Sequence, residues 1–135
     1  MITNSTEIAV SFPGGKKVDA QIDSFTINTD QPIKAGGENS APAPFDLFLA
    51  SLASCAGIFA LGFCQSRNLA TEGLGLKMIG FWDQTRKLYT QFEFKLTLPA
   101  DFPEQHRDSI VRAINLCAVK RHIQDAPTFN TVIEN

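Results

Sequence analysis

The chain has 135 residues, of which 44% are hydrophobic and 19% charged, with a formal net charge of −2 and a mean hydropathy of −0.04. That length suits one domain, and the composition excludes a disordered chain, a collagen-like repeat and a disulfide-dense mini-protein. The 12 Lys and Arg and 14 Asp and Glu are scattered rather than run together, which argues against a nucleic-acid partner.

Glu7 to Phe12 alternates loosely and predicts a strand, followed by a tight turn at Pro13-Gly14-Gly15. Lys17 to Asp23 places Val18, Ala20 and Ile22 on one face and Lys17, Asp19, Gln21 and Asp23 on the other, the pattern of a half-buried strand. Phe25 and Ile27 extend it into a third strand, Ser24 to Thr29, so the first elements form a meander. Asp30 to Pro44 holds three Pro and the pair Gly36-Gly37, and predicts a long loop of the kind that often carries function.

Leu47 to Cys64 has no charged residue over 18 positions. Asp46 at its start and Arg67 beyond its end suit the helix macrodipole. A bilayer span needs about 20 predominantly apolar residues. Ser51, Ser54, Gly57 and Gly62 interrupt this stretch and it has no aromatic belt, so it reads as a buried core helix and not as a membrane segment. Ala50, Ala53, Ser54, Gly57 and Ala60/Leu61 recur every three or four positions, a small-residue face that admits a closely packed partner helix.

Leu74 to Asp83 and Leu88 to Leu98 predict a long hairpin around the turn Gln84 to Lys87, with Leu88, Thr90, Phe92, Phe94, Leu96 and Leu98 on one face. Pro103 suits a helix start. Ile110, Ile114 and Cys117, with Val111 and Ala118, form an apolar stripe that puts Cys117 on the buried side of a second amphipathic helix. Asp125-Ala126-Pro127 ends it, and Phe129 to Glu134 reads as a last short strand. The element order predicts an α+β fold with largely antiparallel sheets.

Eleven Phe against one Tyr and one Trp need dry surroundings that a chain this short does not easily supply. That points to a core shared in an oligomer. The first twenty residues lack a secretory pattern, so the expected compartment is the cytoplasm, where three cysteines do not make a structural framework. Cys64 lies nine residues after Cys55 and so points to the opposite side of the helix. Cys55 and Cys117 each face inward and form the plausible pair if their helices touch, the plain alternative being that both are small buried hydrophobes. No metal-ligand spacing is present, His106 reads as solvated and His122 as a helix-capping side chain, and no cofactor follows from the sequence.

Gly36-Gly37 and the run Ser40-Ala41-Pro42-Ala43-Pro44-Phe45-Asp46-Leu47-Phe48-Leu49-Ala50-Ser51-Leu52-Ala53-Ser54-Cys55 resemble the signature of the OsmC/Ohr family. Its second signature, a Cys near the end of the last long helix, is similar to Cys117-Ala118-Val119-Lys120-Arg121. Gly14-Gly15-Lys16 and Thr29-Asp30-Gln31-Pro32 also fit. The resemblance implies an interlocked homodimer of two antiparallel sheets around central buried helices. It implies reduction of small organic hydroperoxides, with Cys55 as the attacking thiolate, Cys117 as its disulfide partner and an external dithiol as reductant.

The sequence departs from the family at the groups that ionise the thiol. Active peroxidases use an Arg from an early strand held by a Glu before the Cys helix, whereas here those places fall at Lys16 and at Phe45, with Asp46 next to it. Lysine lacks the planar fork of arginine. Lys16, Lys120 and Arg121 are the candidate cations, and Cys55, Cys117, Lys16 and Asp46 the candidate catalytic set. Two other readings stay open: a non-catalytic binding or redox-sensing module with an apolar pocket at the dimer interface, and a plain dimerisation core.

Overall fold

A computed structural model describes residues 4–135. Contacts cluster into two compact units, one through Leu49 and one from Ala50 onward.

The first unit is an antiparallel meander of β1 (Ala9–Gly14), β2 (Lys17–Ile22) and β3 (Phe25–Thr29). All three predicted strands form, with β1 starting two residues later and carrying Pro13 inside it. Proline is tolerated there because β1 pairs on one side only. The turn therefore falls on Gly15 and Lys16, where Gly15 takes φ +57°. Val10, Ala20 and Ile27 stand in register across the strands, and Ile22 pairs with Phe25. This apolar face is open within the unit: Phe12 is 77% and Phe25 69% exposed.

The following loop is organised around one buried carboxylate. Asp30 is 1% exposed. Its Oδ1 accepts from the Gln31 N–H at 2.7 Å, and its Oδ2 from the N–H groups of Glu38 (3.2 Å) and Ser40 (3.1 Å) and from the Ser40 hydroxyl (2.6 Å). A Cβ on Gly37 would run into the Gln31 carbonyl and lie 2.8 Å from Asp30 Oδ1, so only glycine lets the loop close over the carboxylate. The Ser40 hydroxyl and then the surrounding N–H groups hold the Asp30 pKa down to about 2, from an ordinary value of 3.8.

A depressed carboxylate pKa stabilises the fold above its unfolded value, and the contribution is lost as pH falls through the folded one. The loop is therefore expected to keep its full Asp30 contribution above about pH 4 and lose it towards pH 2. Asp30→Ala strands four donors and is expected to lower Tm by several degrees at neutral pH. Urea unfolding of both proteins at descending pH checks this, since their difference must shrink on acidification.

Helix α1 (Pro44–Ser66) starts three residues before the predicted Leu47 and runs two beyond Cys64. Its start is closed by Asp46, whose carboxylate accepts from the Ala43 N–H at 3.1 Å, while the Ala43 carbonyl accepts from the Asp46 N–H at 2.9 Å. By length and composition α1 could cross a membrane. Its Ala56, Ala60, Phe63 and Cys64 instead build the core of the second unit.

That unit also holds the hairpin β4 (Gly75–Asp83) and β5 (Leu88–Thr97), helix α2 (Arg107–Ile114) after a 3₁₀ turn at Glu104–His106, and helix α3 (Ala118–Gln124). The hairpin turn is closed by Asp83, whose Oδ1 accepts from the N–H groups of Thr85 (2.8 Å) and Arg86 (2.9 Å). Ile110 and Ile114 of α2 pack on the α1 cluster, with Leu76, Phe94, Leu96 and Leu98 of the hairpin region against it.

Several expectations are corrected. The β5 alternation holds from Phe92 to Leu98, but the register slips between Phe81 and Trp82, so Trp82 faces Tyr89 and Thr90 drops out of the pairing. The second helix breaks after Ile114. Leu116 and Cys117 donate to the carbonyls of Ala113 and Ile114, a tightened last turn, and Cys117 then goes extended with ψ 131°. Cys117 is buried as predicted, yet sits between α2 and α3 and not on a helix face. Val111 and Ala118 of the predicted stripe are exposed. Residues 125–135 form no strand, and Phe129 is 91% exposed. His106 is half-buried, its ring edge-on to Phe63 at 5.9 Å between centroids. His122 lies inside α3, where its Nδ1 is 2.7 Å from the Ala118 carbonyl oxygen. Along the small-residue face, Ala60 packs in the core with Ile110 and Ile114 of α2, while a Cβ on Gly57 would meet nothing among the described residues.

Candidate functional site

The break between α2 and α3 positions the chemistry. Cys117 caps α3, and the first turn of that helix faces Cys55 on α1. Cys55 and Cys117 are both free thiols and hydrogen-bond to each other. The N–H groups of Ala118 and Val119 also donate to the Cys55 sulfur. Cys117 is fully buried, whereas Cys55 keeps partial exposure.

The two thiols are polarised in opposite directions. Burial pushes Cys55 up, but the Cys117 S–H donor, the Val119 and Ala118 amides and the Lys120 charge together bring it below the ordinary thiol range. Burial raises Cys117, and donating to Cys55 raises it further. Of the two, Cys55 is the thiol that ionises first.

Lys120 is the cation of this site. Its Nζ lies 3.8 Å over the centre of the Phe94 ring and donates to Asn115 Oδ1 at 3.3 Å. Burial lowers its own pKa and both thiols oppose that. Removing the charge in Lys120→Met is expected to move the midpoint of Cys55 alkylation up, because that charge is one of the groups that favour the thiolate, with Lys120→Arg close to wild type. Iodoacetamide labelling rates across a pH series check this.

Of the other sequence candidates, Arg121 is exposed beside His122 and Asp125. Lys16 is exposed in the β1–β2 turn of the first unit, and its side chain comes within reach of Gly36 there. Asp46 caps α1 through Ala43. Cys64 belongs to the core cluster, where burial and then the opposing Arg67 charge leave its thiol pKa raised. Sequence reasoning missed Asn115 and Phe94 as partners of Lys120; asparagine's preference for helix ends was the available signal for the break at Asn115. No group of three His, Cys, Asp or Glu that could hold a metal occurs among the described residues.

Residues 37–132 match the family model described as OsmC-like protein. The chain belongs to the OsmC-like family. Among solved structures of this fold, it is similar to a proposed osmotic stress induced and detoxification response protein from Psychrobacter arcticus (TM-score 0.72, 17% identity, 89% of each chain covered). It is also similar to an OsmC-like protein from Mycoplasma pneumoniae (TM-score 0.69, 14% identity, 93% of this chain and 91% of that one). A third is the organic hydroperoxide resistance protein OsmC of Legionella pneumophila (TM-score 0.60, 16% identity, 92% of each chain). No curated protein matches the sequence significantly. At these identities the likeness is one of fold, and the α+β architecture with two small antiparallel sheets is that of the OsmC/Ohr proteins.

Proposed function

We propose that this OsmC-like protein reduces small organic hydroperoxides through Cys55, with Cys117 as the resolving thiol. The observation that carries the reading is the polarised pair: a partly exposed thiol pulled toward the thiolate by Cys117, two backbone amides and Lys120. The Cys55 thiolate attacks the terminal oxygen of ROOH. The O–O bond breaks, RO⁻ leaves and takes a proton to become an alcohol, and Cys55 becomes a sulfenic acid. Cys117, already hydrogen-bonded to that sulfur, attacks it; an S–S bond forms and water departs. An external dithiol returns both thiols by exchange. The family membership and the hydroperoxide-resistance name of the Legionella relative support the same chemistry.

The exposed apolar face of β1 to β3, the open surface at Gly57 and the Phe content support a homodimer with a shared core. Light scattering should then return twice the 14.8 kDa chain mass. Purified reduced protein with cumene hydroperoxide and dithiothreitol tests the activity: peroxide must disappear in stoichiometric excess over protein, and its persistence would overturn the reading.

One observation favours a second reading, a non-catalytic ligand-binding or redox-sensing module. Phe45 and Lys16 stand where the family peroxidases carry Glu and Arg, and the Asp46 carboxylate is engaged at the helix start. That reading requires no peroxide turnover and a Cys55 thiol titrating at or above about 8.5.

A further inference from the structure

Two contacts from different elements converge on the Lys120 ammonium. Its Nζ lies 3.8 Å from the centre of the half-buried Phe94 ring of β5 and donates to Asn115 Oδ1 at 3.3 Å. Asn115 closes the end of α2, and Lys120 is the third residue of α3. On an unbroken helix, residues five apart stand about 140° from each other around the axis and do not face one another. The break at Leu116 and Cys117 therefore brings the amide to the ammonium.

Both holders are neutral. The ring attracts a cation through its quadrupole and the amide through its carbonyl oxygen, and neither cancels the charge. Among the described residues no carboxylate lies within salt-bridge distance of Lys120. The charges that bear on its pKa are those of the Cys55 and Cys117 sulfurs. Charged and titratable groups on the surrounding elements are engaged elsewhere. Glu93 pairs with Lys95 at 3.5 Å on β5, and Arg112 donates to Ser109 Oγ at 3.0 Å on α2. On α3, His122 Nδ1 lies 2.7 Å from the Ala118 carbonyl oxygen and Arg121 is exposed. Helix α1 carries no charge from Leu47 to Cys64. A lysine ammonium rides on a flexible stem, so its charge acts at one place only when something holds it there.

We propose that Phe94 and Asn115 are positioning residues of the reactive site: together they hold the Lys120 ammonium, with its charge uncancelled, where it favours the Cys55 thiolate. The inference rests on the thiolate chemistry of the proposed function and names the side chains that sustain it. Both act through Lys120, so their effects must vanish when its charge is removed.

The readout is the midpoint of the pH profile for iodoacetamide alkylation of Cys55, followed by mass on the Cys55 peptide. Asn115→Leu and Phe94→Leu are each expected to raise it, by no more than Lys120→Met does. In the Lys120→Met background neither should raise it further. Asn115→Gln and Phe94→Tyr keep the amide oxygen and the ring face, and should stay close to wild type. Asn115→Asp keeps an acceptor but makes it negative, and should also raise the midpoint. Circular dichroism and Tm confirm folding; Phe94 also packs on the core cluster, so the Asn115 variants decide the matter if Phe94→Leu unfolds. An unchanged midpoint in Asn115→Leu would overturn the proposal. So would a rise that persists in the Lys120→Met background, because a variant that merely loosened the break between α2 and α3 would give that result. Cumene hydroperoxide turnover is scored separately. Shifted midpoints without turnover would remove the peroxidase reading and leave the positioning role; turnover with unmoved midpoints would do the reverse.

Discussion

Cys55→Ser is expected to reduce hydroperoxide turnover to the rate of the protein-free control, while Cys117→Ser, with no dithiol added, still consumes one equivalent and stops at the Cys55 sulfenic acid instead of a disulfide. The asymmetry follows from where each sulfur sits. Cys55 is the partly exposed thiol with its pKa brought down, and a serine hydroxyl in its place stays protonated at every working pH. Cys117 is fully buried, with its proton committed to Cys55. Serine at position 117 keeps an O–H donor to the Cys55 thiolate, so the first attack proceeds, but no second sulfur can close the disulfide. The sulfenic acid then persists and is captured by dimedone, visible as an added mass on the intact protein. Cys64→Ser separates chemistry from packing: its turnover is expected to match wild type, while its stability falls because a hydroxyl enters the apolar cluster around Ala60 and Ile114. Multiple turnovers in Cys55→Ser would transfer the attacking role elsewhere and remove the basis of the mechanism.

How far this site could be read in the sequence depends on the scale of the signal. The meander, the uncharged helix and the hairpin all rest on periodicity over many residues, and each forms within a few positions of its expected bounds. Periodicity marks Cys55 and Cys117 only as inward positions, and the resemblance to the two OsmC/Ohr signatures is what singles them out as a reactive pair. The break between α2 and α3 is a matter of a single residue. Ile110, Ile114 and Cys117 keep a helical spacing and all are buried, so burial alone cannot distinguish a continuous helix from one that tightens at Leu116 and restarts at Ala118. Yet the restart sets the surroundings of Cys55, because it brings the Ala118 and Val119 amides to its sulfur. Lys120 likewise looks like any exposed cation in the sequence; its placement depends on the Phe94 ring and the Asn115 side chain, which only tertiary structure brings together. The slip at Thr90 has the same character, a one-residue bulge within an otherwise regular alternation.

Ile110→Ala is expected to be the most destabilising single truncation in the second unit, by about 2–5 kcal/mol. Ile110 is fully buried and is among the largest side chains to be so. Its surroundings cannot collapse into the void, because Ala56 and Ala60 on α1 are already small and the Phe63 ring is held against His106 and Arg67. Against a typical total of about 5–15 kcal/mol the loss is a large fraction, and urea unfolding should show a lower midpoint at an unchanged slope. The reactive pair is coupled to this packing: the last turn of α2, anchored by Ile110 and Ile114, sets where Cys117 leaves the helix. Truncation should therefore raise the alkylation midpoint of Cys55 well below the unfolding temperature, as the Cys117 and α3 donors drift from its sulfur. An unchanged midpoint in a measurably destabilised variant would mean that the α2–α3 break holds its geometry independently of the core.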